Sequence, residues 1–160
     1  TEPSDGSSRH GLEFGFFWTP REHWAVDVTG AIVDSKFTGV SSSVNDIPNT
    51  YGEVFSAGLT YAKPNGLEAS LRLRHFGDAP IVEDGSARQQ SSTLINTGIN
   101  YRFNRWQIGV DVLNVFDARD SDIAYLFDSR LQGETAPVTD IHYHPVLPRT
   151  VRAHIRLFGS

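Results

Sequence analysis

The stretch that decides the fold is Leu67-Glu68-Ala69-Ser70-Leu71-Arg72-Leu73-Arg74. Every second residue is apolar and the residues between are polar, which is the periodicity of a β-strand with one face in an apolar environment. An amphipathic helix would instead place its apolar residues three and four positions apart. The stretch therefore predicts a strand with one apolar face and one face that carries charge.

Six further runs show the same alternation, and each is typical of a strand. Their apolar faces are Leu12, Phe14, Phe16 and Trp18; Trp24, Val26, Val28 and Ile32; Phe55, Ala57, Leu59 and Tyr61; Ile95, Ile99, Tyr101 and Phe103; Trp106, Ile108, Val110 and Val112; and Val151, Ala153, Ile155 and Leu157. An eighth strand could lie in 122–127 or 138–143. We predict an all-β fold, an antiparallel up-and-down meander of about seven to eight strands.

The connections between these runs alternate in length. The short ones are 19–23, 62–66 and 104–105, and the long polar ones are about 38–50, 77–92 and 117–148. Six aromatic residues flank the short connections: Trp18, Trp24, Tyr61, Tyr101, Phe103 and Trp106. Outer-membrane barrels have tight turns and an aromatic girdle at one rim and long loops at the other. The pattern therefore predicts part of a transmembrane β-barrel with a polar interior.

Composition excludes several other classes of protein. The net charge is −5 with no basic stripe, which argues against a nucleic-acid partner. Without cysteine there can be no disulfide framework or thiolate metal site. No apolar run reaches the 18 or so residues of a membrane-spanning helix. A soluble β-sandwich stays open as an alternative, because its polar strand faces could lie in water.

The order of motifs in the second half resembles the C-terminal barrel of TonB-dependent outer-membrane receptors. The residues that carry the resemblance are Tyr101-Arg102-Phe103, the following run 106–117 with its close Asn114-Val115-Phe116-Asp117, and Pro148-Arg149-Thr150 at the start of the final strand. The resemblance covers about 10–158. It implies a 22-stranded barrel closed by an N-terminal plug, which imports a siderophore, haem, a vitamin or a glycan.

The resemblance also implies a location and partners. Residues 1–160 would be the C-terminal portion of such a barrel, in the bacterial outer membrane, with the plug domain and the earlier strands lying outside them. The expected partners are outer-membrane lipid, the plug domain and the remaining strands, with TonB contacted only through the missing N-terminal part. We expect no cofactor. An open sheet has two unpaired edges, so we expect the isolated chain to form oligomers or to need detergent.

The longest connection contains the candidate ligand-binding residues. These are Tyr125, Arg130, His142, Tyr143 and His144, which could grip an anionic or sugar ligand by stacking and charge-assisted hydrogen bonds. A weaker alternative is a zinc or copper site formed by Asp140, His142 and His144. The bland interpretation is an ordered, solvated loop.

On the interior face, Arg72, Arg74 and Arg102 are candidates to pair with carboxylates of a plug domain. No motif or spacing of nucleophile, base and acid indicates an enzyme. The alternative to a receptor segment is a small stand-alone outer-membrane barrel or a β-sandwich with a ligand-binding or structural role.

Overall fold

The computed structural model describes residues 6–159 and contains eleven strands in that range. They are β1 (Ser7–Trp18), β2 (Trp24–Phe37), β3 (Glu53–Ala62), β4 (Leu67–Phe76), β5 (Ala79–Pro80), β6 (Arg88–Gln89), β7 (Ser92–Phe103), β8 (Trp106–Leu113), β9 (Ser121–Ser129), β10 (Val138–Pro145) and β11 (Thr150–Leu157). The part of the chain that the structure describes contains no helix long and apolar enough to cross a membrane.

Seven of the strands form one antiparallel sheet in the order β1-β2-β3-β4-β7-β8-β11. Each strand pairs with the next strand of this sheet along the chain, and the strands between them, β5–β6 and β9–β10, belong to separate small sheets. The predicted antiparallel meander is therefore confirmed. Within residues 6–159 these strands form one sheet rather than two packed sheets. The β-sandwich alternative is therefore wrong.

Two small sheets lie outside the main one. The strands β5 and β6 pair over two residues, and β9 pairs with β10 in a hairpin. This hairpin contains both stretches in which an eighth strand was expected. They pair with each other instead of adding to the sheet, so the main sheet keeps seven strands.

The register places the apolar residues of all seven strands on one continuous face. In one row, Leu59 lies opposite Leu71. In another, Tyr101 lies between Leu67 and Ile108. This face is uncovered, as the 71% exposure of Ile155 indicates. A soluble domain would bury such a surface, because each buried Å² of apolar area contributes about 25 cal/mol.

Aromatic side chains collect where the sheet meets the short turns. Trp24 and Tyr61 lie opposite each other with ring centroids 5.0 Å apart. Phe103 pairs with Trp106 across the two-residue turn, in which Asn104 has the positive φ of 52° that such hairpins require. Tryptophan and tyrosine favour the boundary between hydrocarbon and headgroups, so this end of the sheet has the composition of a membrane interface.

Candidate functional site

The face opposite the apolar one carries polar side chains that meet across an intervening strand. Asp27, Gly58 and Arg72 lie opposite one another on β2, β3 and β4. The Arg72 guanidinium donates to both carboxylate oxygens of Asp27, with Nη2 3.1 Å from Oδ1. A Cβ atom on Gly58 would lie 2.7 Å from Arg72 Cζ. Gly58 therefore leaves the gap through which this ion pair forms.

A second pair crosses the sheet in the same way, over Gly109. His154 on β11 places its Nε2 atom 2.8 Å from Asn100 Oδ1 on β7. Its Nδ1 atom lies 3.5 Å from Asp111 Oδ2 on β8. A Cβ atom on Gly109 would lie 2.6 Å from His154 Nε2. We call this polar face of the sheet the inner face and the apolar one the outer face. Gly58 and Gly109 are the glycine gaps of the inner face.

The three arginines predicted on the interior face all lie on the polar face of the sheet, but they differ in their partners. Arg72 is paired with Asp27. Arg102 lies over the ring of Phe158, with 3.9 Å between its Cζ atom and the ring centroid. Neither Arg74 nor Arg102 forms a salt bridge with any carboxylate of residues 6–159. Of the three predicted arginines, Arg74 and Arg102 therefore have charges left for a partner outside those residues.

Two motifs that carried the sequence resemblance contact each other at the base of the longest loop. The Asn114 side chain donates to the carbonyl oxygens of Ala118 and Leu147 at 2.9 Å each, and its Oδ1 accepts from Ala118 N at 2.9 Å. Asp117 Oδ1 accepts from Arg149 N at 2.9 Å. We call these residues the loop clasp, because they join the two ends of the segment 114–149.

Three long loops, 38–52, 77–91 and 114–149, pack together into what we call the loop cap. Gln89 is only 4% exposed and joins all three. Its two Nε2–H groups are shared among Tyr51 Oη at 3.2 Å, Ser121 O at 3.2 Å and Asp122 O at 3.3 Å. A buried amide that is bonded to two neighbouring loops fixes their relative positions, because losing any of these partners leaves polar groups unsatisfied.

Charged residues add a second link between the first two loops of the cap. Asp46 pairs with Lys36 on β2 and lies 3.6 Å from Arg88 Nη1 on β6. In the same region the hydroxyl and amide of Ser86 donate to Asp84 and hold the pKa of that carboxyl below its ordinary value. Ion pairs and hydrogen bonds thus hold these loops in place where they touch, although most of their side chains are in water.

Three of the predicted ligand-binding residues share one face of the β9–β10 hairpin. His142 lies opposite Tyr125, and His144 lies one step along β10 on the same face. The His142 ring stacks on Phe127 with centroids 3.9 Å apart and an interplanar angle of 14°. This face presents two aromatic rings and two imidazoles at the end of the molecule that carries the long loops.

The other two predicted residues lie elsewhere. Tyr143 is on the opposite face of the hairpin, where it lines a cavity of about 220 Å³ together with Ala124 and Ile141. Arg130 is in the hairpin turn and donates its Nε–H to Glu134 O at 2.9 Å. The five residues therefore do not converge on one site.

The proposed metal ligands do not converge either. Asp140 Oδ1 accepts a hydrogen bond from Ile141 N at 2.7 Å, and His144 Nδ1 lies 3.8 Å from Asp122 Oδ2. No group of three histidine, cysteine, aspartate or glutamate side chains in residues 6–159 is placed to hold a metal ion. Stacking on Phe127 engages only the ring face of His142, but these three side chains form no ready-made metal site in the described residues.

A polar row on the outer face was not foreseen from the sequence. His75 Nδ1 lies 2.7 Å from Thr93 Oγ1, and His75 Nε2 lies 3.4 Å from Glu53 Oε1. The three residues sit where the apolar face ends beneath the loop cap. The only sequence signal is the loss of apolar alternation at these strand ends, and their proximity requires the register of β3, β4 and β7.

Comparison with solved structures identifies the fold. The ferric yersiniabactin uptake receptor FyuA of Yersinia pestis superposes on 94% of this chain with a TM-score of 0.73 at 21% identity. The ferric-catecholate import receptor Fiu of E. coli K12 matches 94% with a TM-score of 0.72 at 17% identity. BauA, the ferric preacinetobactin receptor of Acinetobacter baumannii, matches 97% with a TM-score of 0.71 at 16% identity.

The match is to a part of each receptor. This chain spans 23% of FyuA, 21% of Fiu and 23% of BauA. No protein-family model matches the sequence. The likeness therefore rests on the sheet, its order and its register. Its structural neighbours are TonB-dependent siderophore receptors, and this chain has the fold of one segment of their β-barrel wall.

Proposed function

We propose that this chain forms part of the wall and external loops of an outer-membrane receptor that imports a ferric siderophore with energy from TonB. The observation that carries the proposal is the seven-stranded sheet with an apolar outer face and a charged inner face, which superposes on siderophore-receptor barrels. Such a sheet is stable only where lipid covers one face and polar groups cover the other.

In this proposal residues 1–160 are the C-terminal portion of a longer barrel in the bacterial outer membrane. The unpaired edges of β1 and β11 receive the remaining strands, because an open edge in hydrocarbon would leave backbone groups without hydrogen bonds. A plug domain fills the interior, and TonB acts on a segment outside this chain.

The inner face supports a role for two arginines in holding the plug. Arg74 and Arg102 have no carboxylate partner in residues 6–159, whereas Arg72 is held by Asp27. A plug carboxylate that reached either arginine would form a charge-assisted hydrogen bond in a partly desolvated place. Arg72 then acts within the wall, which narrows the three original candidates to two.

The loop cap supports the binding role. Tyr125, His142 and His144 form one aromatic face that suits stacking on a planar chelating group, and Tyr143 lines a separate cavity. Haem, vitamins and glycans present flat or cyclic groups too. We favour a siderophore because the structural neighbours described above are receptors for ferric siderophores.

The test uses the complete outer-membrane protein that contains this chain. Binding of a panel of ferric siderophores is measured for the wild type, for Tyr125→Ala with His142→Ala, and for Tyr143→Ala. We expect the variant that removes the ligand face to bind at least about tenfold more weakly, which is the effect of losing one strong contact. Unchanged binding in all variants, or no binding of any ferric siderophore by the wild type, would contradict the proposal.

A further inference from the structure

The loop cap contains a cavity of about 220 Å³ between the loop 77–91 and the β9–β10 hairpin. Ile81, Ala124 and Ile141 form its apolar wall. Pockets that take a whole drug-sized molecule have volumes of about 300–1,000 Å³. This cavity is smaller, so it fits one ring-sized group rather than a complete chelate.

The buried amide of Gln89, which lines this cavity, has one end without a partner. Its nitrogen faces Ser121 O and Asp122 O, which can only accept, so the two ends of the amide cannot be exchanged. The Oε1 atom of Gln89 has no hydrogen-bond partner in residues 6–159. A buried acceptor without a donor is costly, and a ligand that supplies a hydroxyl or N–H group removes that cost.

The charged groups that line the cavity are of both signs: Arg88, Arg119 and Asp120. Arg88 is already held by Asp78, with 2.8 Å between its Nε atom and Oδ2. Arg119 forms no salt bridge with a carboxylate in the described range 6–159. In a space this small an anionic ligand would face Asp120, and a cationic ligand would face Arg119. The lining therefore favours a neutral ligand that both donates and accepts hydrogen bonds.

A ring that carries several hydroxyl groups meets these requirements. Each hydroxyl has one O–H donor and two acceptor lone pairs. The cavity offers acceptors on Gln89 and Asp120, and donors on Gln90, Arg119 and Tyr143. The C–H face of such a ring can pack against the apolar wall, and this contact removes apolar area of both from water.

We propose that this cavity binds one neutral, polyhydroxylated ring, such as a hexopyranose unit. The site is separate from the aromatic face of Tyr125, His142 and His144, because that face lies on the opposite side of the β9–β10 hairpin. The ring is either a ligand of its own or a substituent of the imported chelate, and the contacts in the cavity are the same for both. Siderophore binding at the aromatic face does not depend on this cavity, so one can fail without the other.

The test uses the complete outer-membrane protein that contains this chain, purified in an amine-oxide detergent that has no sugar headgroup. Saturation-transfer NMR measures binding of the methyl glycosides of glucose, galactose and mannose. The methyl glycosides of glucuronic acid and glucosamine, which add a negative and a positive charge to the same ring, are the control ligands. We expect saturable binding of at least one neutral glycoside, and binding of both charged ones that is weaker by about tenfold or more.

Two variants change the polar lining of the cavity. Arg119→Gln and Asp120→Asn should each weaken binding of that glycoside about tenfold, because each replaces a charge-assisted hydrogen bond by a neutral one. The matched control is Asp122→Asn, since the Asp122 carboxylate is 71% exposed and does not line the cavity. This control variant should leave glycoside binding unchanged.

Excess ferric siderophore distinguishes the two sources of the ring. It displaces the glycoside if the ring belongs to the chelate, and it leaves the glycoside bound if the ring is a separate ligand. The proposal is overturned if none of the three neutral glycosides binds, if a charged glycoside binds equally well, or if Asp122→Asn weakens binding as much as Asp120→Asn.

Discussion

At the scale of single residues, the glycine gaps explain why charged side chains can pack on a strand surface at all. Asp27 and Arg72 are two strands apart, and they meet only because Gly58 has no side chain between them. The backbone of Gly58 has ordinary extended geometry, so its role is one of space and not of conformational freedom. The residue at this position is thus set by its neighbours across the sheet.

Substitution of Gly58 tests this role. Gly58→Ala should destabilise the chain folded in detergent micelles by roughly 1–2 kcal/mol in urea unfolding, because the added methyl group displaces a partly buried ion pair. Gly15→Ala is the matched control on the same inner face, since its Cβ atom would meet only Thr29 Cγ2 at 4.0 Å. Adding Asp27→Ala and Arg72→Ala should make Gly58→Ala harmless. If it stays harmful in that background, the gap has another purpose.

The loop clasp yields a second residue-scale prediction. Asn114 has a φ of 51° and is 4% exposed, with three side-chain hydrogen bonds. Asn114→Gly keeps the backbone geometry and loses the bonds, so it should cost about 2–3 kcal/mol by unfolding. Asn104→Gly, at a φ of 52° in an exposed turn, should be neutral. Equal effects of the two changes would mean that backbone conformation alone selects asparagine.

At the scale of elements, side-chain hydrogen bonds join the three loops of the loop cap to one another. Gln89 joins three loops, and its removal would take one hydrogen bond from each of Tyr51, Ser121 and Asp122. This coupling makes the cap different from a set of independent surface loops.

Hydrogen exchange can measure that coupling. Gln89→Ala should raise the exchange of backbone amides in 79–91 and in 119–129 together, by about tenfold or more, since local opening becomes easier. The neighbouring exposed Gln90→Ala supplies the control and should change neither range. Faster exchange confined to 79–91 would contradict a shared unit.

The sequence predicts an element well when the residue pattern within that element determines its structure. It predicts an element poorly when the structure depends on which other strand the element pairs with. The alternation in 67–74 gave β4 and its faces correctly, because the apolar period is imposed by an environment that covers the whole face. The β9–β10 hairpin was placed less well. Its two stretches, 122–127 and 138–143, were recognised as strand-like, but nothing in their alternation says which neighbour each will pair with.

The candidate site was predictable only in part for a related reason. Arg74 and Arg102 were placed on the inner face by counting along their strands. Arg72 and Asp27 are 45 residues apart in sequence, and their pairing depends on the register of three strands. Gln89 gave no signal at all, because a buried amide in a polar loop looks like any solvated one until its partners are known.

At the scale of the whole molecule, the isolated sheet has an uncovered apolar face and two unpaired edges. The largest exposures include Ile155 at 71% and Leu12 at 67%, on the two edge strands. We predict that the isolated chain associates in plain buffer and becomes soluble as a smaller species in detergent, measured by sedimentation. A single monomeric species in buffer without detergent would argue against the uncovered face.

The aromatic end of the sheet has an optical consequence. The chain has three tryptophans, at positions 18, 24 and 106, and all lie beside the short turns, where each residue is at least 39% exposed. In the proposed barrel their fluorescence would therefore originate from one interface of the membrane. Brominated lipids confined to one leaflet of the bilayer would quench this emission only when the short-turn end lies in that leaflet. Light emitted by the protein itself would thus report which way the wall is threaded through a vesicle, without any added label.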